Sequence, residues 1–241
     1  MVHFIRKTAA PDNGHVIATN ARLNSLRAAV LGANDGIVSV SSIILGVAGA
    51  TNSRTAVFAA GLAGLVAGAL SMAVGEYVSV SSQRDTEQEY ITVEREHLEQ
   101  NPEEELKELA ETYEAKGLSP VTARKVAEEL TEHDAVKAHL NAEFNIDEED
   151  LSSPVVAAIS SLLAFTVGGF VPLAAVLLVM QSELILATIA AALVALVITG
   201  YLSAAAGRAP KPRAIVRVVF GGLVAMAVTY SIGRLFGQAV G

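Results

Sequence analysis

Residues 61–85 combine a membrane-length apolar run with an acidic side chain inside it. Residues 57–80 are long enough to cross a bilayer, which takes roughly 20 residues at about 1.5 Å of rise each. Glu76 lies within this run, about two turns before Arg84. A charged group at the centre of a membrane helix costs about 2.5–3.5 kcal/mol, so such an acid normally faces protein or water and indicates an ion or proton pathway. The fold must therefore accommodate a carboxylate inside a membrane helix.

The charged residues are concentrated in one segment between two apolar regions. Residues 83–150 hold 21 of the 25 acidic residues and 7 of the 17 Lys and Arg residues, a net charge of −14, whereas the rest of the chain carries +6. This pattern is typical of a solvated domain that projects from a membrane body, and its charge favours cations over nucleic acid. With 52% hydrophobic residues and no cysteine, the chain is expected to be a membrane protein without disulfides or thiolate metal sites.

Five apolar runs predict an all-α protein with five transmembrane helices. They cover approximately residues 28–50, 57–80, 154–178, 184–206 and 214–236. The positive-inside rule assigns the basic residues before the first run, and those in the loop 207–213, to the cytosol. The acidic segment follows an even number of crossings, so we expect it to be cytosolic and the C-terminus to lie outside. The first 27 residues lack the apolar core of a cleavable signal, so we expect nothing to be removed.

The sequence divides into four predicted parts: a cytosolic N-terminal segment (1–27), transmembrane helices 1 and 2 (28–82), an acidic metal-binding domain (83–150) and transmembrane helices 3 to 5 (151–241). Within the first part, residues 15–27 suit a short interfacial helix or a flexible tail.

Three helices are predicted in the acidic domain. The first continues the second membrane helix to about Gln100, and the others begin where a capping residue precedes a proline, at Asn101 and at Ser119. Gly117 suits the end of the middle helix. The domain contains few large apolar side chains, so bound metal or a partner subunit is expected to stabilise it.

The first membrane helix supplies an acid that could face Glu76. Asp35 lies eight residues after Arg27, and Glu76 lies eight residues before Arg84, so antiparallel packing predicts both carboxylates at a similar depth. Met72 lies one turn from Glu76 on the same face. Because a thioether shifts the preference of carboxylates toward softer first-row ions, the set predicts an Fe²⁺ or Mn²⁺ site, with Zn²⁺ and Co²⁺ as further candidates.

Ligating carboxylates must be deprotonated, so exchange of metal for protons is a hypothesis for this site. The alternative is a protonated acid pair that hydrogen-bonds the two helices together. Two glycine pairs, Gly32 with Gly36 and Gly64 with Gly68, are spaced to allow close approach of membrane helices at similar places.

Three pairs of potential metal ligands lie about one turn apart in the acidic domain. They are Glu94 and His97, Glu105 and Glu108, and His139 and Glu143. These spacings place both members of a pair on one helical face, and di-iron carboxylate bundles use the Glu-x-x-His pair. The pairs favour metal binding, but a solvated acidic surface would produce the same spacings by chance.

Residues 27–50 and 64–85, followed by an acidic three-helix insert and three further spans, resemble the vacuolar iron transporter family, including its bacterial members. The resemblance extends from about Leu23 over nearly the whole remaining chain. It implies a homodimer of five-span subunits with the ion path at the interface between the first two helices of each protomer. It also implies movement of Fe²⁺ and Mn²⁺ out of the cytosol in exchange for protons.

The resemblance also assigns roles to individual residues. Asp35 and Met72 match the pathway acid and methionine of the family, with Glu76 on the same face. The family's cytosolic domain binds metal with acids and methionine, at positions that match Glu94, His97, Glu105, Glu108, His139 and Glu143. Here His97 stands where an acid is usual, and His139 stands near an expected methionine. Imidazole is also a ligand for first-row metals, so binding is expected to persist.

We therefore predict a multi-pass transporter of the plasma membrane that exports Fe²⁺ or Mn²⁺ by proton antiport, without a prosthetic group or enzymatic activity. A first alternative is a membrane-anchored metal buffer or sensor, in which the spans only hold the acidic domain at the membrane. A second is ferritin-like oxidase chemistry at Glu94 and His97. The chain offers one Glu-x-x-His motif, half of what a di-iron bundle uses.

Overall fold

The computed structural model describes residues 20–148, 151–207 and 209–240. These residues form seven α-helices and contain no strand: α1 Asn20–Ala50, α2 Arg54–Gln100, α3 Pro102–Ala115, α4 Pro120–His139, α5 Pro154–Leu178, α6 Leu184–Ala206 and α7 Lys211–Val240. A π-helical turn, Leu140–Phe144, follows α4, and a 3₁₀ turn, Gln181–Glu183, precedes α6. Predictions for residues 1–19 and for Arg208 in the basic loop lie outside the described residues.

Within the described part of the chain, five helices are long and apolar enough to cross a membrane. The candidate spans are Ala28–Ala50, Arg54–Gln100, Pro154–Leu178, Gln181–Ala205 and Lys211–Ala239. The all-α class and the five membrane helices are therefore confirmed. The first span matches the predicted bounds, and the helix that carries it begins at Asn20, within the segment 15–27 for which a short helix was one of two predictions.

The outward faces of these helices are strongly apolar. Leu163, Val167 and Phe170 on α5 are each more than half exposed, as are Leu186 and Val194 on α6. A water-soluble protein rarely exposes such a continuous apolar surface, whereas a bilayer solvates it.

Helix α2 is much longer than a bilayer requires. Its 47 residues span about 70 Å, whereas the hydrocarbon core of a bilayer is about 30 Å thick. The helix is apolar to about Val80 and heavily charged from Gln83 onward. The helix therefore has an apolar first part long enough to cross a bilayer and a charged second part, residues 83–100.

Helices α3 and α4 begin and end where local chemistry predicts. Asn101 and Ser119 occupy the N-cap positions, and a proline follows each as the first helical residue. Gly117 follows the end of α3 with φ of +102°, a left-handed conformation that glycine adopts without steric cost. A small core of Leu109, Ala110, Ala127 and Ala138 joins the two helices.

Helix α4 contains a break that the sequence prediction missed. At Asp134 the backbone leaves the helical conformation, with φ of −165° and ψ of 96°. The Asp134 carboxylate accepts a hydrogen bond of 3.0 Å from the backbone N–H of Lys137. Asp134 thus acts as an N-cap for a second helical run, which leads to His139 and into the π-helical turn.

Glycines allow the membrane helices to pack closely, but not in the predicted combination. Gly32 and Gly36 on α1 lie against α5, where a Cβ on Gly32 would be 2.7 Å from the carbonyl oxygen of Ser161. On α2, Gly64 faces the side chain of Ile43, and Gly68 faces the ring of Phe165. Helix α5 therefore takes the close contact with α1 that the sequence suggested for α2.

Candidate metal sites

Four polar side chains converge where α2, α3, α4 and the π-helical turn meet. We call Glu94, Glu105, His139 and Glu143 the acidic cluster. The Nδ1 atom of His139 lies 3.0 Å from Glu94 Oε1, 3.1 Å from Glu143 Oε1 and 3.8 Å from Glu105 Oε2. His139 is fully buried, and Glu94 and Glu105 are almost so. One ligand atom from each of Glu94, Glu105 and His139 lies within 4.8 Å of the others, close enough to share a metal ion.

Local structure orients each member of the acidic cluster. Glu105 lies in the first turn of α3, where the helix dipole favours a carboxylate. His139 ends the short helical run that Asp134 caps, and Glu143 follows one turn later. The π-helical turn ends at Asn145, and Lys116 donates a 2.7 Å hydrogen bond to the carbonyl oxygen of Ala142. This bond holds the turn that carries Glu143 against the end of α3.

The acidic cluster shifts the proton affinity of its members. Burial raises the pKa of Glu94 to about 7, and the charges of Glu143 and Glu105 add to the shift. Burial also raises the pKa of Glu105 and of Glu143, with a further contribution from the charge of Glu108. Burial lowers the pKa of His139, although Glu105 and Glu108 oppose that shift. A neutral imidazole among carboxyl groups that are costly to ionise suits a divalent cation, which can replace the protons.

The two ring nitrogens of His139 have different surroundings. Its Nε2 atom is buried and has no hydrogen-bond partner among the described residues. The ring therefore meets its polar partners through Nδ1, on the side where the carboxylates converge. With carboxylate oxygens and one imidazole nitrogen, the donor set suits first-row divalent ions such as Mn²⁺ and Fe²⁺.

The other two predicted ligands of this region lie at its edge. His97 is half exposed, and its Nδ1 is 3.7 Å from Glu105 Oε1. Glu108 is exposed and lies outside the group of converging ligand atoms in the described part of the chain. The structure thus brings together four of the six residues chosen by spacing, and it leaves His97 and Glu108 next to them.

A second candidate site lies among the membrane helices. We call it the membrane groove: a cavity of about 490 Å³ bounded by α1, α2 and Phe165 of α5. Its polar and sulfur-bearing lining residues are Asp35, Ser39, Ser71 and Met72. The hydroxyl of Ser39 donates a 2.6 Å hydrogen bond to Asp35 Oδ1, which fixes the orientation of the carboxylate.

The register of α1 against α2 places Met72 beside Asp35, whereas the sequence predicts Glu76 at that depth. Gly64 packs on Ile43 of α1, and the antiparallel register that this contact sets puts residues 71–72 near Asp35. Glu76 is half-buried and lies one turn further toward the charged end of α2. It is not among the described residues that line the membrane groove. The prediction used Arg27 and Arg84 as depth markers, but both helices continue past these residues.

Comparison with known proteins identifies the family. The family model of the VIT family matches residues 26–234. The chain belongs to the VIT family. Members of the VIT family are transporters rather than enzymes, so the chain is an integral membrane transporter, and the oxidase alternative loses its basis.

Three relatives in the VIT family illustrate the extent of the similarity. A vacuolar iron transporter of Acanthamoeba castellanii is 43% identical over 211 residues, which cover 87% of this chain and 78% of the relative. Vacuolar iron transporter homolog 2 of Arabidopsis thaliana is 39% identical over 213 residues, covering 88% and 84%. Vacuolar iron transporter homolog 1 of Oryza sativa subsp. japonica is 37% identical over 229 residues, covering 95% and 81%. Both candidate sites lie within the matched region of the VIT family.

Sequence reasoning missed several residues that shape the two sites of this VIT family member. Ser71 lines the membrane groove, but its small side chain among alanines and glycines gave no signal. Phe165 comes from α5, which periodicity cannot pair with α1 and α2. Asp134 was detectable, because aspartate is a common N-cap directly before a helical run, where its carboxylate accepts a hydrogen bond from the N–H three residues later. Arg217 lies near the start of α7 and lines a further groove with Asp35.

Proposed function

We propose that this protein exports Fe²⁺ or Mn²⁺ from the cytosol by proton antiport. The observation that carries the proposal is the membrane groove, where the carboxylate of Asp35 and the thioether of Met72 line one cavity between apolar helices. A carboxylate at this depth is tolerated when a cation or a proton neutralises it. Since metal and proton compete for the same oxygen atoms, binding one releases the other. The two relatives from Acanthamoeba castellanii and Arabidopsis thaliana are named as a vacuolar iron transporter and a vacuolar iron transporter homolog, which supports iron as a substrate.

Within this proposal, the acidic cluster captures metal on the cytosolic side. Its buried carboxylates and neutral imidazole suit tight binding of a divalent ion, and residues 83–100 of α2 connect the cluster to the membrane groove along one helix. Glu76 lies on the face of α2 that carries Met72, between the two sites, and would be the intermediate ligand. His97 and Glu108 would contribute charge at the entrance to the acidic cluster.

We further propose that the protein works as a homodimer in the plasma membrane. On α2, Val66, Leu70, Val74 and Val78 are each more than half exposed and follow a four-residue spacing, so they form one apolar strip. This strip lies on the helix that carries Met72. A second copy packed there would close the membrane groove from the side.

Transport in proteoliposomes tests the proposal. Vesicles with an acidic interior should accumulate Mn²⁺, or Fe²⁺ under reducing conditions, and a protonophore should abolish the accumulation. Asp35→Ala should remove the flux. A flux that is the same with and without the pH gradient, and the same in wild type and Asp35→Ala, would refute antiport through the membrane groove.

The acidic cluster alone would also serve a membrane-anchored metal buffer or sensor. This alternative predicts metal binding by the purified chain but no flux through wild-type vesicles. It further predicts that Asp35→Ala has no effect on metal tolerance in cells.

A further inference from the structure

Asp35 lies between two grooves rather than at the end of one. The first is the membrane groove. The second, which we call the α7 groove, has a volume of about 460 Å³ and lies between α1 and α7. It is lined by Asn34 and Asp35 from α1 and by Arg217 and two glycines from α7. The same carboxylate therefore faces Met72 and Ser71 on one side and a cationic residue on the other.

The register of α1 and α7 places Arg217 close to the depth of Asp35. The two helices run parallel, because Gly222 packs on Val38 and Gly237 packs on Ala50. Arg217 precedes Gly222 by five residues, and Asp35 precedes Val38 by three. The offset along the helix axis is therefore about 3 Å, a distance that the long, flexible arginine side chain can cover.

Two acceptors in the α7 groove suit a guanidinium group. In the described part of the chain, Asp35 accepts a hydrogen bond from Ser39 and forms no ion pair with Arg217. The neighbouring Asn34 Oδ1 is buried and has no hydrogen-bond partner among the described residues. A guanidinium offers five N–H donors and remains charged at any physiological pH, so it can bind the amide and the carboxylate together.

We infer that Arg217 is a transient counter-cation of Asp35: from the α7 groove its side chain reaches the carboxylate as the metal leaves and holds it until a proton binds, and an entering divalent ion must overcome its positive charge. Arg217 is thus a positioning residue that sets metal affinity and assists metal release. This inference rests on the proposed function, because it concerns the same carboxylate. Its physical basis is that an ionised carboxylate inside a membrane protein needs a nearby positive charge.

The kinetics of Arg217→Gln test the inference. This substitution keeps a long polar side chain and removes the charge, so Asp35 should bind Mn²⁺ more tightly and release it more slowly. In proteoliposomes, KM for Mn²⁺ should fall about tenfold, the effect of a partly screened charge near the site, and the maximal rate should fall several-fold. Arg217→Lys keeps the charge but loses the forked donors, so its KM and maximal rate should lie between those of wild type and Arg217→Gln. Arg213→Gln, one turn earlier on α7, should leave both parameters unchanged, because Arg213 and Arg217 are both exposed but only Arg217 lines the α7 groove.

Two results would overturn the inference. One is that Arg217→Gln matches Arg213→Gln in both KM and maximal rate, as expected if Arg217 only meets lipid headgroups. The other is that Arg217→Lys is as defective as Arg217→Gln with KM unchanged, as expected for a purely structural role.

If wild-type vesicles show no flux, the proposed function fails, and equilibrium binding then tests the inference separately. The full chain carrying Glu94→Gln, Glu105→Gln and Glu143→Gln, which removes all three carboxylates of the acidic cluster, isolates binding at Asp35. In that background, Arg217→Gln should tighten Mn²⁺ binding about tenfold relative to Arg213→Gln. Equal affinities would reject the role of Arg217.

Discussion

The acidic cluster and the membrane groove offer a metal ion very different surroundings. In the acidic cluster, three carboxylates and one imidazole converge in a buried space. In the membrane groove, one carboxylate with its Ser39 partner shares a cavity with a thioether. A site that binds tightly holds its ion, whereas conduction requires binding weak enough for the ion to leave. The contrast is consistent with our proposal that the acidic cluster captures metal and the membrane groove conducts it.

The membrane helices and the acidic cluster also differ in what stabilises them. The membrane helices pack through glycines and a buried Phe165, contacts that involve no candidate metal ligand. The acidic cluster occupies the junction of short helices whose core consists largely of alanines and a few leucines. Unligated, its carboxyl groups repel one another and resist ionisation, so bound metal should stabilise that junction.

The largest expected effect concerns Asp35. Asp35→Asn keeps the shape and removes the negative charge, so metal flux should fall at least about 100-fold, because a divalent ion in the membrane groove loses its anionic ligand. Equilibrium binding of Mn²⁺ to the acidic cluster of the same protein should change by less than about twofold, since Asp35 lies on α1 and the two sites share no residue. A parallel loss of binding and flux would show that the two regions are one site.

The second prediction compares a residue of the acidic cluster, Glu105, with a neighbouring residue outside it, Glu108. Glu105→Gln should weaken Mn²⁺ binding at least about tenfold, because the metal loses a buried charged ligand. Glu108→Gln, three residues later on an exposed position, should change affinity by less than about threefold. Isothermal titration of the two purified variants measures the difference. Equal losses would place Glu108 among the ligands.

The third prediction concerns pH. With the pKa of Glu94 at about 7, Mn²⁺ must displace a proton below that pH, so affinity should rise about tenfold between pH 6 and pH 8. Since the folded-state pKa lies above the ordinary value of 4.5, this group makes the metal-free fold less stable as pH rises from about 4.5 to 7. Metal-dependent thermal stabilisation should therefore increase over the same range.

Glu94→Gln provides the control for the pH prediction. It removes the titrating group, so most of the rise in affinity between pH 6 and pH 8 should disappear. Binding that keeps its full pH dependence in this variant would assign the released proton to another residue.

The smallest effect tests packing beside the membrane groove. Gly68→Ala would place a Cβ 2.7 Å from Phe165 Cε1, so we expect a loss of about 1–3 kcal/mol and a lower Tm. Gly75→Ala, two turns along the same helix, has no atom within 4 Å of the added Cβ and should be neutral or slightly stabilising. A Tm that falls equally in both variants would contradict the packing of Phe165 against α2.

The sequence was sufficient to predict elements whose signals are local. Apolar length predicts the five membrane helices, and capping residues beside prolines predict where α3 and α4 begin. Helical spacing also selects the faces that carry Glu94, Glu105, His139 and Glu143. Spacing does not fix how far each helix is rotated about its axis, so it could not distinguish Glu105 from the exposed Glu108.

Features that depend on contacts between residues far apart in the sequence could not be predicted. The depth of Asp35 relative to Met72 follows from how Ile43 packs on Gly64, and the charged residues near the membrane surface gave a register about one turn different. The partner of Gly32 and Gly36 is α5, more than 100 residues away. Arg217 lines the same groove as Asp35 because α7 packs parallel to α1, a contact that the sequence does not reveal.

The most direct test measures Mn²⁺ flux against Mn²⁺ concentration for Glu105→Gln and Asp35→Asn in vesicles with the same pH gradient. If the acidic cluster captures metal and the membrane groove conducts it, Glu105→Gln should raise KM yet reach nearly the wild-type rate at saturating Mn²⁺. Asp35→Asn should stay inactive at every concentration. Recovery of Asp35→Asn at high Mn²⁺, or failure of Glu105→Gln to recover, would contradict this division between the two sites.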